Sequence, residues 1–429
     1  MTPATPPARP TPAAAKARPA PRPRTRPRTP AATALTCLLL AALLLALPSA
    51  VPQAHAQESG AGVQQREWGL KALHTREAWR TTKGRGVTVA VLDTGVDSRH
   101  PDLAHNVRRG KDFVRTGARP GDRTWARHGT AMAGIIAGHG HGTGRRYGVM
   151  GVAPEARILP VRVLLEDSDP QRAKARNARG GALADGIRWS VEHGADVINL
   201  SLGDDSRSAH PDAREDAAVR YAQRKGAVVV ASAGNGGSRG DHVSYPAAYP
   251  GVIVATAVDR HGRPAAFSTR RWYASVAAPG KGVLIPDPSG RYYEGWGTSA
   301  AAAYVSGAVA LVRAAHPGLS PAQIKKLLSE TTRHPPEGGR SDTVGTGLVD
   351  PAAAVEVGSH LRPHGERPAQ LPYRSEYFGD GTGEGDAGWF AALAAVLGLL
   401  LVGTAVALHR GLTWETVRRF VHRGDPHRL

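Results

Sequence analysis

The apolar positions of this chain fall into two textures. Short β-branched runs at 87–92, 158–165, 197–200, 228–232 and 252–258 are apolar almost throughout and do not alternate with polar residues. Strands of that kind have both faces buried, so the runs predict a sheet covered on each side. Between them lie segments of helical character, at 129–137, 182–193 and 212–225. In the second of these, Leu183, Ile187 and Val191 recur at steps of four as one stripe, and Gly194 supplies a stop. Buried strands alternating with such helices predict parallel βαβ units, and hence an α/β fold. Further on, Ser320-Pro321 reads as an N-cap followed by proline at the first helical position, ahead of Ile324, Leu327 and Leu328. The segment 166–180, with Arg172, Lys174, Arg176 and Arg179, interrupts the pattern and is expected to be an exposed insertion.

The two ends follow different rules. Residues 1–30 are almost entirely Pro, Ala, Thr, Arg and Lys and cannot bury a core. A charge-free stretch at 31–47 follows, then Ala54-His55-Ala56. Basic region, apolar region and small residues before a cut are the grammar of a secretory signal peptide, with cleavage expected after Ala56; the other reading is an uncleaved anchor. Near the far end, 387–408 carries no ionisable residue. As a helix at about 1.5 Å per residue it would cover about 33 Å, enough to cross a bilayer, although a buried core helix is the alternative. Arg410, Arg418, Arg419, Arg423 and Arg428 follow it, which orients that flank to the cytoplasm. The Pro- and Gly-rich segment 359–386 reads as a tether.

Charge changes this picture little. The formal net charge of +19 is concentrated partly at the two ends, and no stripe of basic and aromatic residues argues for nucleic-acid readout. The remaining excess suits attraction to anionic lipid or cell-wall polymers. Cys37, the single cysteine, falls in the expected signal peptide. The exported part would therefore carry no thiol nucleophile, thiolate metal site or disulfide.

Four polar residues stand out by local context. Asp93 ends the run Val89-Ala90-Val91-Leu92 and precedes Thr94-Gly95, at the kind of strand end where sheets build sites; alone it could equally cap a turn. His128 precedes Gly129-Thr130 and a helix of small residues. A second His-Gly-Thr at His141 lies in a glycine-rich stretch, 139–144, read as a flexible loop; His139 and His141 lack a third nearby metal ligand. Ser299 opens an alanine-rich helix, where backbone N–H groups and the helix dipole favour a developing oxyanion, though a serine there can be a simple cap. Asn235, in Ala233-Gly234-Asn235-Gly236, could donate a second hydrogen bond to that oxyanion or merely make a turn. One site explains all four more economically than four coincidences.

These segments resemble the subtilase family, the subtilisin-like serine peptidases. Its chain order Asp, His, Ser is matched by Asp93 in VAVLDTGVD, His128 in HGTAMAGIIAG and Ser299 in GTSAAAAYVSGAVAL, and the likeness runs from Trp68 to Val355. The signal peptide and C-terminal span extend it to the mycosins, subtilases that accompany type VII secretion. The resemblance implies a subtilisin-like three-layer sandwich with a mostly parallel central sheet, plus one C-terminal transmembrane helix. It implies that Ser299 attacks the scissile carbonyl, His128 moves the proton and Asp93 orients the imidazole, with Asn235 and the Ser299 N–H holding the oxyanion. Ser201, Leu202 and Gly203 would form the substrate-binding edge strand. No cofactor and no metal are expected. Partners would be protein or peptide substrates and membrane components of a secretion complex, not nucleic acid.

The resulting organisation is signal peptide 1–56, N-terminal arm 57–67, peptidase domain 68–358, linker 359–386, transmembrane helix 387–408 and cytoplasmic basic tail 409–429. The expected protein is a single-pass, membrane-anchored serine endopeptidase with its catalytic domain outside the membrane. The alternative function is a scaffold for a membrane secretion complex whose proteolysis is dispensable. Two departures from the family pattern stand beside the nucleophile: Ala300 where a bulky residue is usual, and Ala303 where a proline is usual. The first opens space beside Ser299, and the second alters how the helix begins.

Overall fold

A computed structural model of the chain describes residues 62–176, 179–363, 395–399 and 401–402. The expected signal peptide and cytoplasmic tail, and nearly all of the expected linker, lie outside the described residues. Of the expected membrane span only 395–399 and 401–402 are described; they are helical, and Val396, Leu397, Leu399, Leu401 and Val402 are exposed.

The strands are β1 (Thr88–Asp93), β2 (Lys111–Asp112), β3 (His139–His141), β4 (Tyr147–Met150), β5 (Arg157–Arg162), β6 (Val197–Leu200), β7 (Val228–Ser232), β8 (Ile253–Val258), β9 (Val276–Pro279), β10 (Lys281–Pro286) and β11 (Tyr292–Trp296). Seven of them form one sheet in the order β2-β5-β1-β6-β7-β8-β9, every neighbouring pair parallel. Two antiparallel pairs, β3 with β4 and β10 with β11, stand apart from it. The longer helices are α1 (Arg127–Ala137), α2 (Arg179–Glu192), α3 (Ala213–Arg224), α4 (Thr298–Ala315), α5 (Pro321–Glu330) and α6 (Pro351–Gly358).

The two faces of the sheet explain why its strands are apolar without alternation. Val89, Val91, Val228 and Val230 pack into one core with α1, α4 and α5, while Ala90, Leu92, Val229 and Ala231 pack into a second core with α2 and α3. The result is three layers, helix on sheet on helix. Among the described residues, α4 is long and apolar enough to cross a membrane, but 83% of it is buried inside the domain, as befits a core helix. Its small face lets it lie close: a Cβ at Gly307 would sit 2.5 Å from the Cβ of Val152. Ala303 continues α4 without a break. At α5, Ser320 Oγ accepts from Gln323 N at 3.2 Å and Gln323 Oε1 accepts from Ser320 N at 3.0 Å, a reciprocal capping box.

Two expectations need correction. The insertion 166–180 is not simply exposed: it contains a short helix, Arg172–Arg176, the start of α2, and a buried Asp169. Asp169 is buried because its carboxylate accepts from Ala118 N and Gln171 N, both at 2.8 Å. Nor are His139 and His141 in a flexible loop. They form β3, where His139 Nε2 bonds the Ala104 carbonyl at 2.7 Å and His141 Nδ1 bonds Asp102 at 2.6 Å. The glycines that suggested mobility instead provide left-handed backbone, φ 62° at Gly140 and 69° at Gly142.

Candidate active site

The carboxyl ends of the central strands converge on a cavity of about 630 Å³. Asp93 is the last residue of β1, Ser201–Gly203 continue β6, and Asn235 follows β7. His128 sits in the first turn of α1 and Ser299 in the first turn of α4. His128, Ser299, Asn235, Ser201, Leu202 and Gly203 all line the cavity. This is the edge at which parallel sheets place their ligands, since loops there can converge without disturbing the sheet.

Asp93 is fully buried, and both its carboxylate oxygens lie 2.9 Å from His128 Nδ1. The Thr94 N–H donates to the same carboxylate at 2.7 Å. The backbone around the imidazole is equally constrained. A Cβ at Gly129 would collide with the carbonyl oxygen of Gly95, so only glycine allows α1 to approach β1 this closely.

Burial alone would lower the His128 pKa. The charge and hydrogen bond of Asp93, followed by the charges of Glu166 and Asp167, outweigh it and raise the pKa from 6.5 to about 9. With 37% of the side chain exposed, solvent screens part of that pull. Glu166 was not singled out in the sequence, yet its Oε1 accepts from the His128 backbone N–H at 2.8 Å. Burial pushes the Glu166 carboxyl up, against the opposing hydrogen bonds of Thr94 and His128.

The serine is held by a buried relay. Asn199 Nδ2 donates to Ser201 Oγ at 2.9 Å, Ser201 Oγ donates to the Ser299 carbonyl at 2.9 Å, and Ser306 Oγ donates to Asn199 Oδ1 at 2.9 Å. The Ser299 hydroxyl itself donates to the Ser201 carbonyl at 3.1 Å, so in this conformation it is not bonded to His128. Gly297, at φ 141°, makes the turn that brings β11 into α4 and, having no side chain, does not itself cap the helix.

Asn235 is clamped at two points. Its backbone N–H donates to Asp205 Oδ2 at 2.9 Å, and its Oδ1 accepts from Thr298 N at 3.0 Å and Thr298 Oγ1 at 3.1 Å. With the amide oxygen turned to Thr298, the amide nitrogen is the end left to donate into the cavity. The roles of Asn199, Asp205, Thr298 and Ser306 depend on partners 30 to 107 positions away, beyond the reach of local motif reading.

A second acid–imidazole group lies among the described residues, at Asp102. It is fully buried and accepts from His141 Nδ1, Tyr292 OH at 2.8 Å and Val149 N at 2.9 Å, tying β3 and β4 to β11. None of these partners is a serine, and the group reads as internal cross-linking. Among the described residues no cluster of three or more His, Cys, Asp or Glu suits a metal ion.

Comparison with known proteins agrees with this architecture. The subtilase family model matches residues 84–347. The thermophilic serine proteinase of Bacillus sp. (strain AK1) is 40% identical over 268 residues, covering 62% of this chain and 61% of that protein. Subtilisin E of Bacillus subtilis (strain 168) is 36% identical over 304 residues, covering 70% of this chain and 72% of that protein. The crystal structure of MycP1 from the ESX-1 type VII secretion system shares 30% identity at a TM-score of 0.60, covering 76% of this chain and 92% of that one. The chain thus spans less than two thirds of the first of these relatives. Its matched region nevertheless takes in every residue of the cavity named above, and the chain belongs to the subtilase family of serine endopeptidases.

Proposed function

We propose that this protein is a membrane-anchored serine endopeptidase that cleaves proteins outside the membrane in connection with type VII secretion. The observation that carries the catalytic part is the 2.9 Å contact of the buried Asp93 carboxylate with His128 Nδ1, on the wall of the same cavity as Ser299. In this reading Asp93 fixes the tautomer that leaves Nε2 free to accept a proton, and stabilises the imidazolium once formed. Rotation about the Ser299 Cα–Cβ bond exchanges the Ser201 carbonyl for the imidazole as acceptor. Substrate would drive this exchange, because a peptide pairing with Ser201–Gly203 competes for that carbonyl. Attack by Ser299 Oγ then places the oxyanion between the Ser299 N–H and the Asn235 amide.

The secretion link rests on likeness to MycP1. The anchoring, with signal peptide 1–56, arm 57–67, domain 68–358, linker 359–386, span 387–408 and tail 409–429, rests on the charge and hydropathy pattern. The test is proteolysis of an unfolded protein by the pure, folded chain. Cleavage by the wild type that is lost in Ser299→Ala supports the reading, and inert wild-type protein contradicts it.

A further inference from the structure

The Asn235 amide can donate into the cavity only while its backbone is held, so the partners of the segment 234–237 decide its aim. The Gly234 N–H donates to Thr298 Oγ1 at 3.2 Å, the Gly236 N–H to Thr269 Oγ1 at 2.9 Å and the Gly237 N–H to the Phe267 carbonyl at 2.9 Å. Those partners are neutral. The Asn235 N–H goes instead to a carboxylate, Asp205 Oδ2 at 2.9 Å, and a bond to a carboxylate is roughly twice as strong as one between neutral groups. The flanking glycines make room for that carboxylate: a Cβ at Gly234 would sit 3.4 Å from Asp205 Cβ, and one at Gly236 would sit 3.4 Å from Asp205 Oδ2. At the other end of the residue, the Asn235 carbonyl accepts from Arg239 Nη2 at 3.3 Å, an exposed contact for which water competes.

Asp205 is in turn placed by the chain that leaves β6. After Ser201–Gly203, Asp204 forms an antiparallel bridge with Tyr245: the Asp204 N–H donates to the Tyr245 carbonyl at 2.9 Å, and the Tyr245 N–H donates back at 3.2 Å. Tyr245 is buried in the second core, so the bridge rests on a packed residue. The half-buried Asp205 therefore joins two parts of the site. One is Ser201–Gly203, read above as the strand that a peptide pairs with; the other is Asn235, read above as an oxyanion donor. Without the carboxylate the Asn235 N–H loses its partner, and Thr298 holds only the amide oxygen.

We propose that Asp205 is a positioning residue for the reaction: its carboxylate holds the Asn235 backbone so that the amide nitrogen meets the oxyanion, and it does so from the segment that directly follows the peptide-binding strand. The proposal rests on the reading of Asn235 as an oxyanion donor. Asp205 acts through Asn235 and needs no contact with the reacting carbonyl. Misplacing such a group by about 1 Å lowers the rate on the order of 10²-fold, so the hold on the backbone matters almost as much as the amide itself.

The test measures kcat and KM of the full chain for one peptide amide in Asp205→Ala, Asp205→Leu and Asp205→Asn, each made in the wild type and in Asn235→Ala. Leucine keeps the shape and removes the acceptor; asparagine keeps an acceptor and removes the charge. Asp205→Ala, or Asp205→Leu where the alanine variant does not fold, should lower kcat by about tenfold to 10²-fold with KM changed by less than about twofold. Asp205→Asn should bring kcat back to within about threefold of the wild type, since a neutral acceptor is weaker but still aims the N–H. In the Asn235→Ala background the same replacements should change kcat by less than about twofold, because the group they position is gone. Wild-type kcat in the alanine and leucine variants, a rise in KM alone, no recovery with asparagine, or an undiminished loss in the Asn235→Ala background overturns the proposal and leaves the oxyanion reading standing. Wild-type kcat in Asn235→Ala overturns the oxyanion reading and this proposal with it.

Discussion

At the scale of single residues, the site is a problem of competing charges around one imidazole. His128 is pulled down by burial and pulled up further by Asp93, Glu166 and Asp167, reaching about 9. A general base must be neutral, so kcat/KM should rise as pH climbs through that pKa, giving an alkaline optimum. The sign for stability is opposite. The raised folded pKa means that the Asp93–His128 pair contributes fully below the imidazole's unfolded value of 6.5, and that this contribution is lost as pH rises toward about 9. Replacing Glu166 by glutamine removes one of the raising charges, so Glu166→Gln should move the ascending limb of the kcat/KM profile to lower pH. A limb that stays in place would show that Glu166 has no electrostatic grip on His128. In the proposed mechanism Asn235 acts only when charge develops. Asn235→Ala should therefore lower kcat by about 10² to 10³ with little change in KM, as steady-state kinetics would show; a change in KM alone would reject the oxyanion role.

The sequence made some of these residues visible and hid others for a physical reason. Asp93, His128, Asn235 and Ser299 each carry a local signature, because a strand end or a helix start needs particular neighbours such as Gly129 and Gly297. Glu166 sits in a stretch whose charges suggested solvent, and only its fold-dependent contact with the His128 N–H, 38 positions away, gives it a place in the site.

At the scale of elements, the buried parallel strands were legible because both faces are covered; the runs at 197–200 and 228–232 coincide with β6 and β7. β9, β10 and β11 were not anticipated. The hairpin is partly exposed and interrupted by Gly282 and Gly295, so its sequence lacks a continuous apolar run. Yet this hairpin walls a recess beside Ser299, and an element with a weak pattern thus shapes the site. The capping box of α5 is the clearest case of sequence dictating local structure. Ser320→Ala removes the acceptor for Gln323 N and should cost about 1 kcal/mol, read as a lower denaturant midpoint with unchanged slope. No loss would mean that tertiary packing of Ile324, Leu327 and Leu328 holds the helix without its cap.

At the scale of the whole molecule, the described domain packs one apolar core on each face of its seven-stranded sheet, and the single cysteine of the chain leaves no intrachain disulfide to hold it. The anchoring proposal is separable from it. A chain ending at 363 should be released from membranes yet keep its thermal stability, whereas the full chain should partition with lipid; equal partitioning of both would remove the anchor from the account.

The most direct measurement of the central claim is mass spectrometry of the full chain after reaction with a fluorophosphonate. The expected result is one stoichiometric adduct on the peptide bearing Ser299, abolished by His128→Ala and by Ser299→Ala while both variants remain folded. An adduct on another residue, or undiminished labelling without the imidazole, would contradict it.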